Sequence, residues 1–331
     1  MAPLPFATVV VPARNEEAAI RACLEGLLAQ DLPHDRFEVI VLDGGSVDAT
    51  RKIVAEVAAK ASVQIRLEDN PRRSVPAALN RALDLARGDY LVRVDAHSVP
   101  EPNYVRRNVE SNVELGAELV GGWVRAVGGK PVQRAVAAAF ASPFAMGNAG
   151  SWRRPPAPRE VASVPCGSYR IDALRAIGGF DEAQLANQDY EANYRLRRAG
   201  GRVFILPDVS FAYIPRDTFR GLARQFVRYG WFKARTMAKH PASIRARHLV
   251  PAAGLVGLAG LVTLAPLRPW PLLAAVVAYA AGLAVASVRA GRGLGRAALL
   301  LPAVFATMHA AWALGNLAGL VRWPFARPWR D

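Results

Sequence analysis

Cysteine is nearly absent: 331 residues contain two, Cys23 and Cys166, far apart and without a CxxC spacing. That excludes a disulfide framework and suits a reducing compartment. Acid is missing from one whole region, since Leu249 to Val321 carries almost none and very little amide. A polarity gap of that length marks a membrane part. The opening "MAPLPFATVVVPARNE" has no basic n-region and no long apolar core, so it is not a signal peptide. Its apolar run reads as a first strand, which leaves the soluble part in the cytosol. No helix-turn-helix, zinc-finger spacing or stacking platform accompanies the formal charge of +15. Nucleic acid is therefore not the expected partner. An anionic membrane surface and an anionic nucleotide account for the same arginine excess.

What is present begins with regular strand and helix signals. "ATVVVPA" (7–13), "FEVIVLD" (37–43), "VQIRLE" (63–68) and "YLVRVDA" (90–96) are short β-rich runs. Between them, Ile20, Leu24, Leu27 and Leu28, and then Ile53, Val54 and Val57, recur at helical spacing. Asn15 and Ser46 are placed to cap these two helices, with Glu16 and Glu17 in the first turn. A third helix is predicted from Ser74, with Pro76 in its first turn and Gly88 as its stop. Strands joined by helical crossovers predict a mostly parallel sheet covered on both faces. Such sheets bind ligands at the carboxyl ends of their strands. Pro12–Arg14, Asp43 and Asp95 all fall at predicted strand ends.

Further along, "ELVGGWVRAVG" (118–128) reads as a strand and "RAVAAAFASPFAMG" (134–147) as a helix. "SWRRPPAPRE" (151–160) reads as a loop, 186–201 as a helix ending at Gly200–Gly201, and "RVFILP" (202–207) as a strand. From Thr218 to about Lys239 arginines interleave with Phe219, Leu222, Phe226, Trp231 and Phe232, the pattern of an interfacial helix. Three apolar segments follow at about 249–267, 270–288 and 297–321, each near the length of a membrane span. Trp270, Trp323 and Trp329 stand near their ends. The arginines at 245 and 247, and at 289, 292 and 296, argue for cytoplasmic loops, whereas those after the third segment break the count.

Several stretches carry candidate chemistry. Asp43 in "VLDGGSVDAT" either contacts a nucleotide or caps a turn. In "RVDAHS", Asp95 is positioned to hold a divalent cation that bridges two phosphates. His97 is either a second ligand, whose nitrogen favours Mn²⁺ over Mg²⁺, or a solvated loop residue. "NQDYEANYRLRRAGG" supplies Asp189 and Glu191, as a general base or as ordinary helix acids. "QFVRYG" supplies Gln225, Arg228 and Tyr229, for a diphosphate or acceptor or simply for an interfacial helix.

Taken in order, "VVVPARNE", "VLDGGSVDAT", "NRALDLARGDYLVRVDAH", "IGGFDE", "NQDYEANYRLRRAGG" and "QFVRYG" resemble the family-2 inverting glycosyltransferases. Within that family the chain is most similar to the ExoA-type glucosyltransferases of succinoglycan and related exopolysaccharides. The resemblance covers roughly residues 6 to 240. It implies a GT-A fold, a Rossmann-like, mostly parallel α/β sheet, followed by C-terminal transmembrane helices. It further implies that Pro12, Arg14, Glu16 and Asp43 line the nucleotide pocket with Asp95. Asp95 would meet metal and diphosphate, with His97 as a possible second ligand. Asp189 would be the general base, and Gln225, Arg228 and Tyr229 would match a QxxRW-like motif. The chain departs from the family pattern at Gly44, Gln188, Tyr229 and His97; the tyrosine argues against processive synthesis.

The reading is thus a GT-A domain over 1–240, with an interfacial segment at 218–240, a membrane region at 249–321 and a basic tail at 322–331. It would move glucose from a UDP-sugar to a polyprenyl-diphosphate-linked glycan, with Mn²⁺ or Mg²⁺. The enzyme would sit in the inner or plasma membrane, touching membrane lipids, with its catalytic domain cytoplasmic. The alternatives are a processive polysaccharide synthase, a polyprenyl-phosphate glycosyltransferase, or an inactive membrane scaffold of the same fold.

Overall fold

The structure is a computed structural model describing residues 4–147 and 150–322. In chain order it begins with β1 (Ala7–Ala13), α1 (Ile20–Leu28), β2 (Phe37–Asp43), α2 (Thr50–Ala58), β3 (Gln64–Asp69) and α3 (Val75–Leu85). There follow β4 (Tyr90–Arg93), α4 (Tyr104–Leu115), β5 (Leu119–Ala126), α5 (Pro131–Ala141) and α6 (Pro143–Met146). Next come β6 (Arg159–Glu160), β7 (Ser168–Arg170), α7 (Ile171–Ala176), α8 (Gln188–Arg198) and β8 (Val203–Tyr213). The chain ends in α9 (Phe219–Lys239), α10 (Ala246–Leu264), α11 (Trp270–Ala290) and α12 (Leu301–Arg322). It divides into two compact units, residues 1–125 with 150–213, and residues 126–149 with 214–331.

The first unit is built on an eight-stranded sheet of order β3-β2-β1-β4-β7-β5-β8-β6. β1 pairs in parallel with β2 and β4, and β2 with β3, whereas β7 runs antiparallel between β4 and β5. The valine runs of β1 and β2 are buried on both sides. Val9, Val11, Val39 and Val41 face Ile20, Leu24, Val54 and Val105. Val10, Ile40 and Leu42 face Leu79, Leu83, Tyr169 and Leu196. Alternation across a twice-covered sheet is why Val9–Val11 and Val39–Leu42 are unbroken apolar runs, while Thr8 and Glu38 of the same strands are buried and bonded to each other at 2.9 Å.

Several local expectations change. β4 stops at Arg93, and Asp95 lies in a turn closed by Ser98 N–H donating to Asp95 O at 2.8 Å. Asn15 is not a helix cap; it sits at φ 55° and ties its loop to the next, its Oδ1 accepting from Val47 N at 2.9 Å. Ser46 is likewise drawn to Asp43 rather than to α2. Ser74 does cap α3, accepting from Ala77 N. Gly88 lies beyond the end of α3; a Cβ there would meet Phe6 O at 2.5 Å, so the glycine serves a close pass of backbone against β1. The apolar stretch from 134 is broken into α5 and α6 at Ser142–Pro143, where proline cannot continue the first helix.

In the second unit α9 is capped by Thr218, which accepts from Gly221 N at 3.1 Å. It packs on α12 through glycines. A Cβ on Gly230 would meet Trp312 O at 2.2 Å, and one on Gly315 would meet Val227 O at 2.0 Å. α10, α11 and the stretch Gly295–Arg322 are long and apolar enough to cross a membrane, and α10 and α11 are almost wholly exposed. Of the expected interfacial aromatics, Trp323 and Trp329 lie outside the described residues, as does the tail beyond 322.

Candidate active site

The site is assembled at the carboxyl ends of β1, β2 and β4, where three loops meet. Two of these loops are zipped together. Asn15 N–H donates to Ser46 Oγ at 2.9 Å, Glu16 N–H to Thr50 Oγ1 at 2.8 Å, and Ala49 N–H to Glu17 Oε2 at 2.9 Å. Register sets the rest, because Ala13 of β1 lies opposite Asp43 of β2.

Asp43 is fully buried and accepts from Ser46 Oγ at 2.5 Å and from Arg51 Nη1 at 2.8 Å; Arg51 also reaches Asp69 at 2.7 Å. Burial works to raise its pKa. The Ser46 and Arg51 hydrogen bonds outweigh that and hold the carboxyl below its ordinary range. Pro12 is half-buried and Arg14 exposed. Arg14 lies over Gly44, where a Cβ would meet its Cβ and Cδ at 3.3 Å. A glycine at position 44 therefore leaves room for the arginine stem.

Asp95 and Asp189 are joined by a residue that the sequence reading passed over. Arg93, only 8% exposed, donates to Asp95 Oδ1 from Nε and Nη2, both at 2.9 Å, and to Asp189 Oδ1 from Nη1 at 2.5 Å. One buried guanidinium thus holds one oxygen of each carboxylate. Asp189 stands in the first turn of α8, where the helix's positive end favours an anion. Burial nevertheless pushes its pKa up to about 6, with Asp95 adding to the rise and Arg93 opposing it. The missed signal was the charge itself, an arginine at the end of an otherwise apolar buried strand.

Glu191, two residues on, is a structural acid. Its side chain is buried and gripped by Arg195, at 2.9 and 3.1 Å from Nε and 2.7 Å from Nη2, while Arg195 also caps Gly179 O at 2.7 Å. Asn80 completes that corner, accepting from Phe180 N at 2.7 Å and donating to Phe180 O at 2.9 Å. This accounts for the "NRALDLARGDY" and "IGGFDE" stretches as scaffold of α8.

Cys166 Sγ lies 3.9 Å from Asp95 Oδ2, and Cys23 Sγ 3.7 Å from Asp95 O. Burial first, then the Asp95 charge, pushes the Cys23 thiol up to about 12 and the Cys166 thiol well above its ordinary value. His97 is brought to Glu16, with its Nδ1 at 3.3 Å from Oε1. Among the described residues no group of three His, Cys, Asp or Glu side chains could hold a metal by itself. Gln225, Arg228 and Tyr229 lie together on α9 in the second unit, Gln225 Nε2 donating to Tyr229 Oη at 2.9 Å.

A parallel sheet with acids at its strand ends, extended by antiparallel strands, is the GT-A architecture of nucleotide-sugar transferases. The glycosyl transferase family 2 model matches residues 8–178, and the chain belongs to that family. It is a transferase. It is 33% identical over 317 residues to the succinoglycan biosynthesis protein ExoA of Rhizobium meliloti, covering 93% of this chain and 92% of that one. A Methanococcus voltae relative is 25% identical over 71% of this chain and 74% of its own length. It is named as a glucuronosyltransferase acting on dolichyl N-acetyl-alpha-D-glucosaminyl phosphate. Among solved structures, a mannosyltransferase of Pyrobaculum calidifontis with GDP-mannose and Mn²⁺ superposes with a TM-score of 0.64. It is 23% identical and the match covers 96% of this chain and 88% of that one, a likeness of fold.

Proposed function

We propose that this protein is a membrane-anchored inverting glycosyltransferase of exopolysaccharide or cell-surface glycan synthesis. It transfers a hexose, glucose in our reading, from a UDP-sugar to a glycan carried on a polyprenyl diphosphate. The catalytic unit faces the cytoplasm. The observation that carries this reading is the set of three acids at one sheet end, Asp43, Asp95 and Asp189, with Arg93 between the last two. The lipid-phosphate substrate in the archaeal relative's name supports a lipid-linked acceptor.

In this reading Pro12, Arg14, Glu16 and Asp43 hold the nucleoside. Asp189 takes the proton of the acceptor hydroxyl as its oxygen bonds to the anomeric carbon and the bond to the diphosphate breaks, which inverts that carbon. Gln225, Arg228 and Tyr229 serve the acceptor or its diphosphate. The donor set fits a hard divalent cation such as Mg²⁺ or Mn²⁺. Asp95 keeps Oδ2 outside the Arg93 clamp, and one carboxylate suffices when phosphate oxygens supply the remaining ligands. Held by Asp95, such an ion would supply positive charge to offset that of a departing diphosphate. His97, engaged with Glu16, is the weaker candidate for a second ligand; unchanged Mn²⁺/Mg²⁺ preference in His97→Ala would remove it.

Asp189→Asn should abolish transfer and leave UDP-sugar binding intact, measured by product formation and by calorimetric titration. Retained turnover in that variant would remove Asp189 as the base.

A further inference from the structure

Along α8 and the turn before it, the buried polar side chains have partners, with one exception. Gln184 donates to Ala186 O at 2.8 Å. Glu191 is held by Arg195, and Asn193 accepts from Tyr169 Oη at 2.8 Å while donating to Ser163 Oγ and Val164 O. Gln188 stands apart. It is only 8% exposed, yet its amide makes no hydrogen bond to any described residue. Neither amide atom is sealed from the surface, so the exposed sliver of the residue includes its polar end. A buried amide without a partner costs folding energy that a bound group can recover.

The helix decides where that amide opens. Gln188 is the first residue of α8, and Ala192 and Leu196, four and eight residues on, pack with the strand residues of the sheet. Residues at that spacing share one face, so Gln188 heads the face turned to the sheet. Helix side chains lean toward the N-terminus, which carries the amide past the start of α8. Asp189, on the adjoining face, reaches Arg93 at the end of β4, and Arg93 holds Asp95. The amide thus opens between the base and the strand ends. With the diphosphate at Asp95 and the acceptor attacking from the side opposite to it, the sugar lying there is the one transferred.

We propose that Gln188 is a specificity-determining residue whose amide binds a hydroxyl of the transferred hexose. An amide both donates and accepts, so it can match either end of a hydroxyl. The inference rests on the reading that Asp189 serves transfer from a UDP-hexose at this site, and adds which residue reads the sugar.

The test uses the full chain in detergent with UDP-glucose and a series of analogues that each lack one hydroxyl of the sugar; membrane extract supplies the acceptor. Gln188→Met keeps the length of the side chain and removes both hydrogen-bonding atoms. It should lower kcat/KM for UDP-glucose about tenfold, the scale of one neutral hydrogen bond, while the thermal midpoint stays level or rises. With one of the deoxy donors, parent and Gln188→Met should be equal, because the group that Gln188 reads is already gone. Gln188→Asn, which withdraws the amide by one methylene, should show the same dependence. Equal losses with every donor, or a raised acceptor KM with an unchanged donor series, would overturn the assignment to the transferred sugar. Full activity in both variants would overturn it by leaving the amide to water, and loss of the fold in both by making it structural. A parent that transfers from no UDP-hexose would instead overturn the reading of the site, and this inference with it.

Discussion

Arg93 presents one edge to Asp95 and its remaining Nη to Asp189, a division that a lysine ammonium cannot reproduce. Arg93→Lys should therefore lower kcat about a hundredfold, the scale of a misplaced catalytic group, with a smaller change in donor KM. Comparable losses in both would show a donor-binding role instead. With Asp189 as the proposed base, a pH profile follows, because a base accepts a proton only when ionised. Because burial raises its pKa to about 6, log kcat/KM should fall with unit slope below that pH and level off above it. Arg93→Met removes the opposing charge, so the midpoint should move upward. A profile flat down to pH 5 would contradict the assignment. Stability responds in the opposite sense to activity: the contribution from Asp189 is present below the ordinary carboxyl range and lost as pH rises through about 6. Asp43, held low by Ser46 and Arg51, behaves oppositely and loses its contribution in acid.

At the scale of elements, α8 shows how two acids two residues apart acquire different roles. Asp189 opens toward the strand ends, while Glu191 turns inward to Arg195 and, through it, to the Gly178–Gly179 turn. Glu191→Ala leaves the half-buried Arg195 guanidinium without its carboxylate and should cost about 3 kcal/mol in denaturant unfolding. Spacing alone did not separate the two, because α8 looks polar all round in sequence and its packing partners are distant in the chain. The strands were legible for the opposite reason: their apolar runs answer to burial on both faces, which periodicity records. Gly88 was legible as punctuation but not in purpose, since its reason is Phe6, some eighty residues earlier. The strand-end rule put Asp43 and Asp95 at the site, whereas Arg93 broke the apolar pattern of its strand and was passed over.

For the whole molecule, the charge of +15 is unevenly distributed, with a single acid, Asp217, between Ile214 and Arg322. The exposed apolar faces of α10 and α11 should keep the chain in the membrane pellet through high-salt and carbonate washes, with detergent required for release. Release by salt alone would make it a peripheral protein. The three apolar segments and the basic aromatic helix could be read from composition. The pairing of α5 and α6 with α9 and α12 in one unit could not, because it depends on contacts between segments about ninety residues and more apart.

The two buried thiols beside Asp95 have a practical consequence. Alkylating reagents attack the thiolate, and neither Cys23 nor Cys166 offers an appreciable fraction of it near neutral pH. The native chain therefore behaves toward maleimides as though it had no cysteine. A cysteine introduced at a chosen surface position should therefore take a spin label or fluorophore without replacement of the two buried ones.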